Sequence, residues 1–494
     1  MLKFKKIFIF SLLFLIIAWG AYLRFYKIGE QSYWIDEGYT LNAVVSILAK
    51  GYPILDSNQI YNAAYLNTYL ISGAVSLGGF NPIAARSVAV VFGVGIIFLV
   101  YLIGRKFFNR WVGLGAAFLT AFSYWEIAWS RQARMYIQLQ FFFLLSLYLF
   151  NSLLEKFSYK KLIWLILATA ATILSHYFGY FLLGIYALNL IIRLTPEHYG
   201  KIKTFFRNKI RRLVVGAVII IIALILIKLG FDLTGQISQR ESFLGFSYQG
   251  FLWHYLPLIV ITALAGMVIA VLKEKKSGSG LFLAGAYLIP YLIIIFSASV
   301  IHFRYLFFIL PLLYIFSASL FGAIGEKLKK TNLIFPVLIL ALVLFSIIIT
   351  PRSFSFLPRA DYYLEPFTPQ PDFKSAYEAI KVNGWDDNKT IISPFTQMDK
   401  VYLGRSDYWL AISLDGRKLD KSKLGEREYY NNAITIPDAE KLQNIIISKH
   451  GYIVVDDMAL SVRLDKDIID LIGQQKLIFS DQGNIGSRIW VFSF

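Results

Sequence analysis

Two adjacent carboxylates, Asp36 and Glu37, stand in the stretch QSYWIDEGYT at residues 31–40, soon after a long apolar run. Neighbouring acids repel one another, and beside a membrane their ionised forms also lose hydration. Both effects make one carboxyl of such a pair a better proton acceptor, as a general base must be. The same pair suits the first turn of a helix, where acidic side chains are favourable. We favour catalysis at Asp36, and less so at Glu37, over a helix cap.

A pair of arginines offers the complementary charge. Arg131 and Arg134 stand three residues apart in SRQARMY, residues 130–136, which places them on one face of a helical turn with Tyr136 beside them. The planar guanidinium of arginine suits the oxygens of a phosphate. The alternatives are ion pairing with nearby acids and contact with lipid headgroups. We favour contact with a phosphate or another part of a substrate.

Three further residues are candidates for substrate binding. His176 and Tyr177 lie at the end of a predicted membrane segment, in SHYFGY, and Arg304 opens a later segment. A lone histidine is more often a hydrogen-bonded structural residue than a base, so the structural interpretation is favoured for His176. For Arg304, anchoring of a helix at the membrane interface is as good an interpretation as phosphate binding.

Metal and thiol chemistry have little support in the sequence. The chain has no cysteine, which excludes disulfides, thiol catalysis and Cys–zinc sites. Its histidines show neither HxxxH nor HExxH spacing, so a zinc site is not expected. A Mg²⁺ or Mn²⁺ ion at Asp36 and Glu37 is the remaining alternative, but one acidic pair supplies too few oxygen ligands. We therefore expect no metal and no cofactor.

The candidate residues are set among membrane segments. The chain has 494 residues, of which 57% are hydrophobic and 16% are charged, against about 25% charged in soluble domains. A spanning helix needs about 20 apolar residues. Runs of this kind lie near 6–23, 86–104, 111–130, 136–154, 161–175, 178–193, 213–230, 251–272, 281–300, 304–322 and 332–350. The sequence predicts a polytopic α-helical membrane protein, and we favour a retained first helix over a cleaved signal peptide.

The distribution of charge predicts the topology. The formal net charge of +18 marks cytoplasmic loops rather than nucleic-acid binding. The basic clusters fall on one side of the membrane only if the weakly hydrophobic stretch 62–79 does not cross it. This arrangement gives about eleven spans, with the N-terminus inside and the C-terminus outside. It also brings five polar stretches to the outer face: Asp36–Glu37, SRQARMY, SHYFGY, the loop 231–250 and HFRY at 302–305. Because polar groups near hydrocarbon are costly unless partnered, their convergence predicts one interfacial cleft.

The composition changes after residue 350. Residues 351–371 are rich in proline and predict an extended linker. Residues 372–494 mix helical patterns, such as DFKSAYEAIKVNG and DAEKLQNIIISKHG, with strand-like KTIIS, YIVVDD and RIWVFSF. We therefore predict a catalytic membrane domain at 1–350, a linker at 351–371 and a small extracytoplasmic α/β domain at 372–494. The two acids that end YIVVDD are better explained as the start of a loop than as a site.

In order along the chain, four of these stretches resemble the C-type glycosyltransferases, in particular the protein mannosyltransferase and aminoarabinose transferase group. They are Asp36–Glu37, Ser130–Tyr136, His176–Gly179 and Arg304–Pro311, and NPIAARSVAVVFGVG, with Arg86, resembles the second span of the family. The resemblance covers about residues 20–325. One departure is that relatives carry K-P-P-L or H-P-P-L where this chain has YNAAYLNTYL, so Asn62, Tyr65 and Asn67 are candidates to fill that space.

The resemblance implies a metal-independent, inverting transfer of a sugar from a polyprenyl-phosphate donor on the face away from the cytoplasm. The first acid of the pair would deprotonate the acceptor hydroxyl, and basic residues would steady the leaving phosphate. The loop 231–250, with Arg240, would lie over the donor. The implied partners are a lipid-linked sugar, a glycan, lipid or protein acceptor, and membrane lipids.

A polytopic secondary transporter or lipid translocase is the alternative from another functional class. Transporters usually show internal repeats and ionisable residues near the middle of the membrane. This chain has no evident repeat, and its ionisable residues gather at one interface. The sequence leaves open which sugar is moved and to which acceptor.

Overall fold

The structure divides the chain into two compact units. The computed structural model describes residues 2–193, 246–273, 279–297, 303–328, 331–363, 370–412, 424–481 and 487–494. The helical unit comprises Met1–Phe25, Ala89–Ser130 and Met135–Pro358, and the α/β unit comprises Tyr26–Val88, Arg131–Arg134 and Arg359–Phe494. The α/β unit therefore draws on three separate stretches of sequence. The predicted boundaries at 350 and 372 stay predictions.

Apolar helices make up the helical unit. In the described part of the chain they are α1 (Leu2–Phe25), α4 (Pro82–Phe107, which begins in the α/β unit), α5 (Arg110–Phe122), α6 (Tyr124–Ser130), α7 (Tyr136–Glu155), α8 (Tyr159–Ser175), α9 (Phe181–Arg193), α10 (Phe246–Tyr255), α11 (Pro257–Lys273), α12 (Ser279–Ser297), α13 (Leu310–Lys327) and α14 (Thr331–Ile349). Among these residues, four segments are long and apolar enough to cross a membrane: Ile7–Phe25, Pro82–Phe107, Tyr136–Glu155 and Arg304–Lys327. The chain is a helical membrane protein, while the number and direction of its spans stay predictions.

One predicted span, 111–130, is interrupted at Ser123. The Ser123 backbone leaves the helical region, with ψ at 123°, and so divides α5 from α6. Helix ends expose backbone groups that need partners where water is absent. An extended segment supplies them, because Ser355 N–H donates to Phe122 O at 2.8 Å and Tyr124 N–H donates to Ser353 O at 3.1 Å. The break is therefore built into the fold.

A buried arginine holds α1 against the same region. Arg24 is fully buried, and its guanidinium donates to Ala121 O at 3.0 Å and to Thr120 O at 3.2 Å. Its Nε donates to Ser130 Oγ at 3.1 Å. A charge among apolar helices is costly unless such partners surround it, so these contacts fix α1 beside α5 and α6.

The α/β unit is built on a six-stranded sheet with the strand order β3-β2-β1-β4-β6-β5. The strands are β1 (Thr390–Ser393), β2 (Tyr408–Leu410), β3 (Ile434–Ile436), β4 (Gly451–Asp456), β5 (Lys476–Ser480) and β6 (Ile489–Ser493). Strands β1 to β4 pair in parallel, and β6 pairs antiparallel with β4 and β5. The helices are α2 (Ile35–Lys50), α3 (Tyr65–Gly78), α15 (Phe373–Val382), α16 (Thr396–Leu403), α17 (Ala439–Ser448) and α18 (Lys466–Gly473). The three predicted strands and both predicted helices of this region are present.

One hydrophobic core joins α2 and α3 to the sheet. Leu41 and Val44 of α2 and Ile71 of α3 are buried in the same cluster as Ile391 of β1 and Val454 of β4. The helix that carries Asp36 and Glu37 is thus part of the α/β unit, and the sheet determines its position. At 14 residues and about 1.5 Å of rise per residue, α3 is about 21 Å long, which is shorter than the hydrocarbon core. Whether stretch 62–79 crosses the membrane stays a prediction.

Candidate active site

Both acids lie in the first turn of α2, but Glu37 is the one that caps the helix. The helix begins at Ile35, and Trp34 is its N-cap residue. The Trp34 N–H donates to Glu37 Oε2 at 2.9 Å. An acid three residues after the N-cap satisfies a backbone donor that the helix itself leaves unpaired. The alternative interpretation of the pair as a helix cap therefore holds for Glu37.

Glu37 is also the partner of a buried arginine. The side chains of Glu37 and Arg86 are 0% and 1% exposed. Arg86 Nε donates to Glu37 Oε1 at 2.9 Å and Arg86 Nη2 donates to Oε2 at 2.8 Å, which is a bidentate pair. The Ala133 N–H adds a third donor, at 2.7 Å from Oε1. With the Trp34 N–H, each oxygen of Glu37 accepts two hydrogen bonds from this chain.

Arg86 in turn gathers the segment before α2. Its Nη1 donates to Ile28 O at 2.9 Å and to Gln31 O at 2.8 Å, and its Nη2 donates to Ser32 O at 3.0 Å. The guanidinium also lies 5.0 Å from the centre of the Tyr33 ring. Every N–H of Arg86 has an acceptor. The pair therefore fixes the path of the chain into the acid-bearing helix.

Asp36 has a different environment from its neighbour. Its side chain is 17% exposed, and Arg134 Nη2 lies 3.7 Å from Asp36 Oδ2. Arg134 Nη1 donates to the Asp36 backbone oxygen at 2.9 Å and to Thr40 Oγ1 at 2.9 Å. The same Nη1 donates to the Tyr61 hydroxyl at 3.1 Å. Asp36 is thus the more open acid, and it stands beside a guanidinium that is anchored on α2.

Arg131, the other arginine of SRQARMY, is directed to the backbone. It is 1% exposed, and its guanidinium donates to Tyr26 O at 2.6 Å and to Ala360 O at 2.7 Å. It lies 5.3 Å from the centre of the Tyr362 ring. Burial lowers the pKa of Arg131 to about 10. These contacts tie the segment before α2 to residues 360–362, and phosphate contact by Arg131 stays a prediction.

The helical unit holds the other predicted site residues, of which Tyr136, His176 and Tyr177 come first along the chain. The Tyr136 ring centre lies 4.8 Å from that of Trp129 and 5.9 Å from that of His176. His176 is buried, and its Nδ1 accepts a hydrogen bond from the Phe178 N–H at 3.2 Å. Tyr177 is 58% exposed. The favoured structural interpretation of His176 thus has a contact to support it, because the ring caps the short 3₁₀ helix Tyr177–Tyr180.

Arg304 and Arg240 complete the predicted set. Arg304 lies in the 3₁₀ helix Phe303–Ile309, directly before α13, and is partly exposed. Arg240 lies outside the described residues, as does most of the loop 231–250. In the part of the chain that the structure describes, no group of three or more His, Asp or Glu side chains could hold a metal ion. Metal independence nevertheless stays a prediction.

Two residues of the site do not follow from the sequence patterns. Only the family resemblance makes Arg86 a candidate, and nothing in the sequence around it shows that it binds Glu37, 49 residues away. Tyr61 begins the stretch YNAAYLNTYL, where the basic residue of relatives is missing. Its hydroxyl accepts from Arg134, so a tyrosine of this stretch supports the contact between Arg134 and the acid-bearing helix.

The fold is that of a known class of membrane enzymes. The chain is similar to ArnT from Cupriavidus metallidurans bound to undecaprenyl phosphate, with a TM-score of 0.59 at 11% identity over 97% of each chain. It is also similar to the oligosaccharyltransferase AglB from Archaeoglobus fulgidus in complex with an inhibitory peptide and a dolichol-phosphate, with a TM-score of 0.61 at 12% identity over 99% of this chain and 74% of that one. The chain has the fold of the GT-C membrane glycosyltransferases. The fold that the family resemblance implies is confirmed.

A family model agrees with the fold. Residues 63–227 match the family described as dolichyl-phosphate-mannose-protein mannosyltransferase. No curated protein matches the chain by sequence. At identities of 11 and 12% the structural likeness establishes the fold alone, and neither the donor nor the acceptor. The transporter alternative is not favoured by these similarities.

Proposed function

We propose that this GT-C protein transfers a sugar from a polyprenyl-phosphate-linked donor to an acceptor hydroxyl, with inversion at the anomeric carbon, on the extracytoplasmic face of the cell membrane. The observation that carries the proposal is the difference in environment between the two acids. Glu37 is enclosed by donors of this chain, whereas Asp36 is partly exposed beside Arg134. An open carboxylate on a rigid helix start is the arrangement that a general base requires.

In the proposed step, Asp36 accepts the proton of the acceptor hydroxyl. The acceptor oxygen attacks the anomeric carbon from the side opposite to the phosphate and forms the new C–O bond. The bond between that carbon and the phosphate oxygen breaks, and the lipid phosphate leaves with the electron pair. Attack from the opposite side inverts the configuration, because bond formation and bond cleavage occur on opposite faces of the sugar.

Glu37, in this account, is a positioning residue rather than a second base. Both of its oxygens are fully engaged by Arg86, Trp34 and Ala133, so an incoming hydroxyl would have to displace an existing donor. Its buried pair with Arg86 holds the first turn of α2 and thereby the direction of Asp36.

The leaving phosphate also needs positive charge. The guanidinium of Arg131 donates to backbone carbonyls, so we do not assign Arg131 to the leaving phosphate. The remaining predicted residues stay candidates for contact with the donor, and the three arginines among them carry the charge: Arg134, Tyr136, His176, Tyr177, Arg240 and Arg304. Arginine on the outer side of such a chain suits an anionic group at headgroup depth.

The proposed donor class follows from the similar proteins. The matched family is named for dolichyl-phosphate-mannose, and the two similar structures hold undecaprenyl phosphate and a dolichol-phosphate. Dolichyl phosphate and undecaprenyl phosphate are both polyprenyl phosphates, which is why we assign this class to the donor here. The sugar, hexose or pentose, is left open, and no metal is proposed.

The test is release of polyprenyl phosphate by the purified full-length protein in lipid, supplied with polyprenyl-phosphate sugars and a mixed set of acceptors. We expect turnover that survives a chelator of divalent cations. Loss of turnover on chelation would replace the metal-free step by a metal-dependent one. No release from any polyprenyl-phosphate sugar, in protein that remains folded, would contradict the proposed donor class.

A further inference from the structure

A hairpin of the α/β unit reaches the helix that carries Asp36. Residues 426–435 fold back on themselves, with Glu428 N–H donating to Ala433 O at 2.8 Å and Thr435 N–H donating to Glu426 O at 2.9 Å. At the tip, the Glu428 carboxylate accepts from the backbone N–H groups of Tyr430 and Asn431 at 2.8 and 2.7 Å. The hairpin is therefore held in one shape by its own hydrogen bonds.

The tip of this hairpin is docked on α2. Asn42, less than two turns after Asp36, donates from Nδ2 to Asn431 Oδ1 at 2.8 Å. Asn431 in turn donates from its own Nδ2 to Thr396 Oγ1, at 3.0 Å, at the start of α16. Both asparagines are buried. The side-chain amide of Asn431 is buried and hydrogen-bonded to both α2 and α16, so it fixes the position of the hairpin on the catalytic helix.

Tyrosines pack the hairpin tip against α2, the helix of Asp36. The Tyr430 ring centre lies 4.4 Å from that of Tyr39, and the Tyr429 ring centre lies 5.0 Å from that of Tyr430. Tyr61 packs in the same cluster and accepts from Arg134, the partner of Asp36. Burial, and the nearby charges of Asp36 and Glu428, raise the pKa of Tyr39. Tyr429 is 57% exposed, so one ring of the group is open to solvent.

We propose that Tyr429 and Tyr430 bind a sugar ring of the acceptor, so that the acceptor is a glycan whose hydroxyl is presented to Asp36. This inference rests on the proposed function and specifies its acceptor class. A pyranose ring has a flat face of C–H groups that packs on aromatic rings, while its hydroxyls need polar partners at the edge. The tyrosine group supplies both, through the rings and through the phenol hydroxyls.

A peptide acceptor fits this surface less well. Extended peptides are usually bound by adding a strand to an exposed sheet edge or by filling apolar side-chain pockets. The surface beside Asp36 is instead the tip of a self-bonded hairpin with polar, flat side chains. Rigid tyrosines of this kind give contact area at a low cost in side-chain entropy. We therefore assign the surface to a carbohydrate.

The inference is tested by binding to the full-length protein, separately from turnover. Saturation-transfer NMR would compare soluble oligosaccharides with serine- and threonine-containing peptides as ligands. We expect oligosaccharide binding that weakens about tenfold in Tyr429→Ala and in Tyr430→Ala, as loss of a stacked ring predicts. Tyr52→Ala is the matched control, because Tyr52 is similarly exposed, at 51%, and lies outside the cluster.

Two results would overturn the inference. One is oligosaccharide binding that is equal in the wild type and both hairpin variants. The other is tyrosine-dependent binding of the peptides in place of the oligosaccharides, which would make the acceptor a protein. Release of polyprenyl phosphate by the wild-type protein, supplied with donor and the mixed acceptors, reports on the proposed function alone. Because oligosaccharide binding is measured without donor and turnover is measured on the wild type, the two proposals fail independently.

Discussion

At the scale of single residues, two adjacent acids of the same charge have different environments and different proposed roles. The pattern of two acids after an apolar segment makes both Asp36 and Glu37 candidates for catalysis. Each acid has its own arginine partner. Arg134, the partner of Asp36, lies 98 positions away in the chain, and Arg86, the partner of Glu37, lies 49 positions away. Local sequence shows which residues can do chemistry, but it does not show which one is enclosed, because enclosure depends on distant partners.

The buried pair of Glu37 and Arg86 should behave as one unit. We expect Glu37→Gln to destabilise the protein by about 3–5 kcal/mol, because it leaves a buried guanidinium without its counter-charge. Arg86→Met should cost a similar amount. The double variant should cost less than the sum of the two by more than about 1 kcal/mol, since the charge left unpaired by one change is removed by the other. Thermal unfolding in detergent measures all three, and strictly additive losses would contradict the pairing.

Asp399, in α16, should make stability depend on pH. It is fully buried and accepts hydrogen bonds from the hydroxyls of Tyr377, Ser393 and Ser406 at 2.6–2.8 Å. Burial raises its pKa from 3.8 to about 7. A raised carboxyl pKa means that the folded protein binds this proton more tightly than the unfolded chain does. The resulting stability is full below about pH 4 and is lost as the pH rises through 7.

The variant Asp399→Asn isolates this effect. It removes the titrating group while keeping an oxygen that accepts hydrogen bonds. The melting temperature of the wild type should fall between pH 5 and pH 8 by more than that of the variant. Parallel pH profiles of the two proteins would show that Asp399 does not titrate in this range.

At the scale of elements, the packing of α2 on α16 depends on a glycine. A Cβ atom added at Gly38 would lie 2.9 Å from Gln397 Cγ and 3.2 Å from Met398 Cε. We expect Gly38→Val to cost about 1–3 kcal/mol of stability through overpacking and to lower kcat by shifting Asp36. Gly73→Val in α3 is the control, because nothing lies within 4 Å of a Cβ there. Equal effects of the two changes on kcat would contradict the role of this contact.

The elements also show what the sequence could predict. Apolar runs such as 136–154 and 332–350 correspond closely to α7 and α14, because a long hydrophobic helix is determined by its own composition. The break at Ser123 was not predicted, because the groups that stabilise it come from residues 353 and 355. The short strands β2 and β3 were missed for a related reason. At three residues each, they are defined by pairing rather than by pattern.

At the scale of the whole molecule, the α/β unit joins the acid-bearing segment to the C-terminal sheet. The predicted domain at 372–494 is a continuous stretch, whereas the compact unit also takes in residues 26–88 and 131–134. Residues on α2 share a core with β4, through Leu41, Val44 and Val454. Composition changes at residue 350 and so indicates a boundary there. Composition carries no information on which earlier loop packs on the later domain.

This arrangement predicts cooperative opening. Backbone amides of α2 and β4 should exchange with solvent through the same unfolding event, with the same dependence on denaturant, because they belong to one core. Native-state hydrogen exchange followed by mass spectrometry measures this on the full chain. Exchange of α2 at a clearly lower free energy than β4 would show that the acid-bearing helix is not held by the sheet.

Substitutions of Asp36 show whether this residue is the base for sugar transfer from a polyprenyl phosphate. The measurement is kcat for release of polyprenyl phosphate in the presence of acceptor, for wild type, Asp36→Asn and Asp36→Glu, with melting temperatures determined alongside. We predict a loss of at least about 100-fold in Asp36→Asn at an unchanged melting temperature, and partial activity in Asp36→Glu. Turnover of Asp36→Asn within about twofold of the wild type would exclude Asp36 as the base, because removal of a general base must lower kcat by more than that.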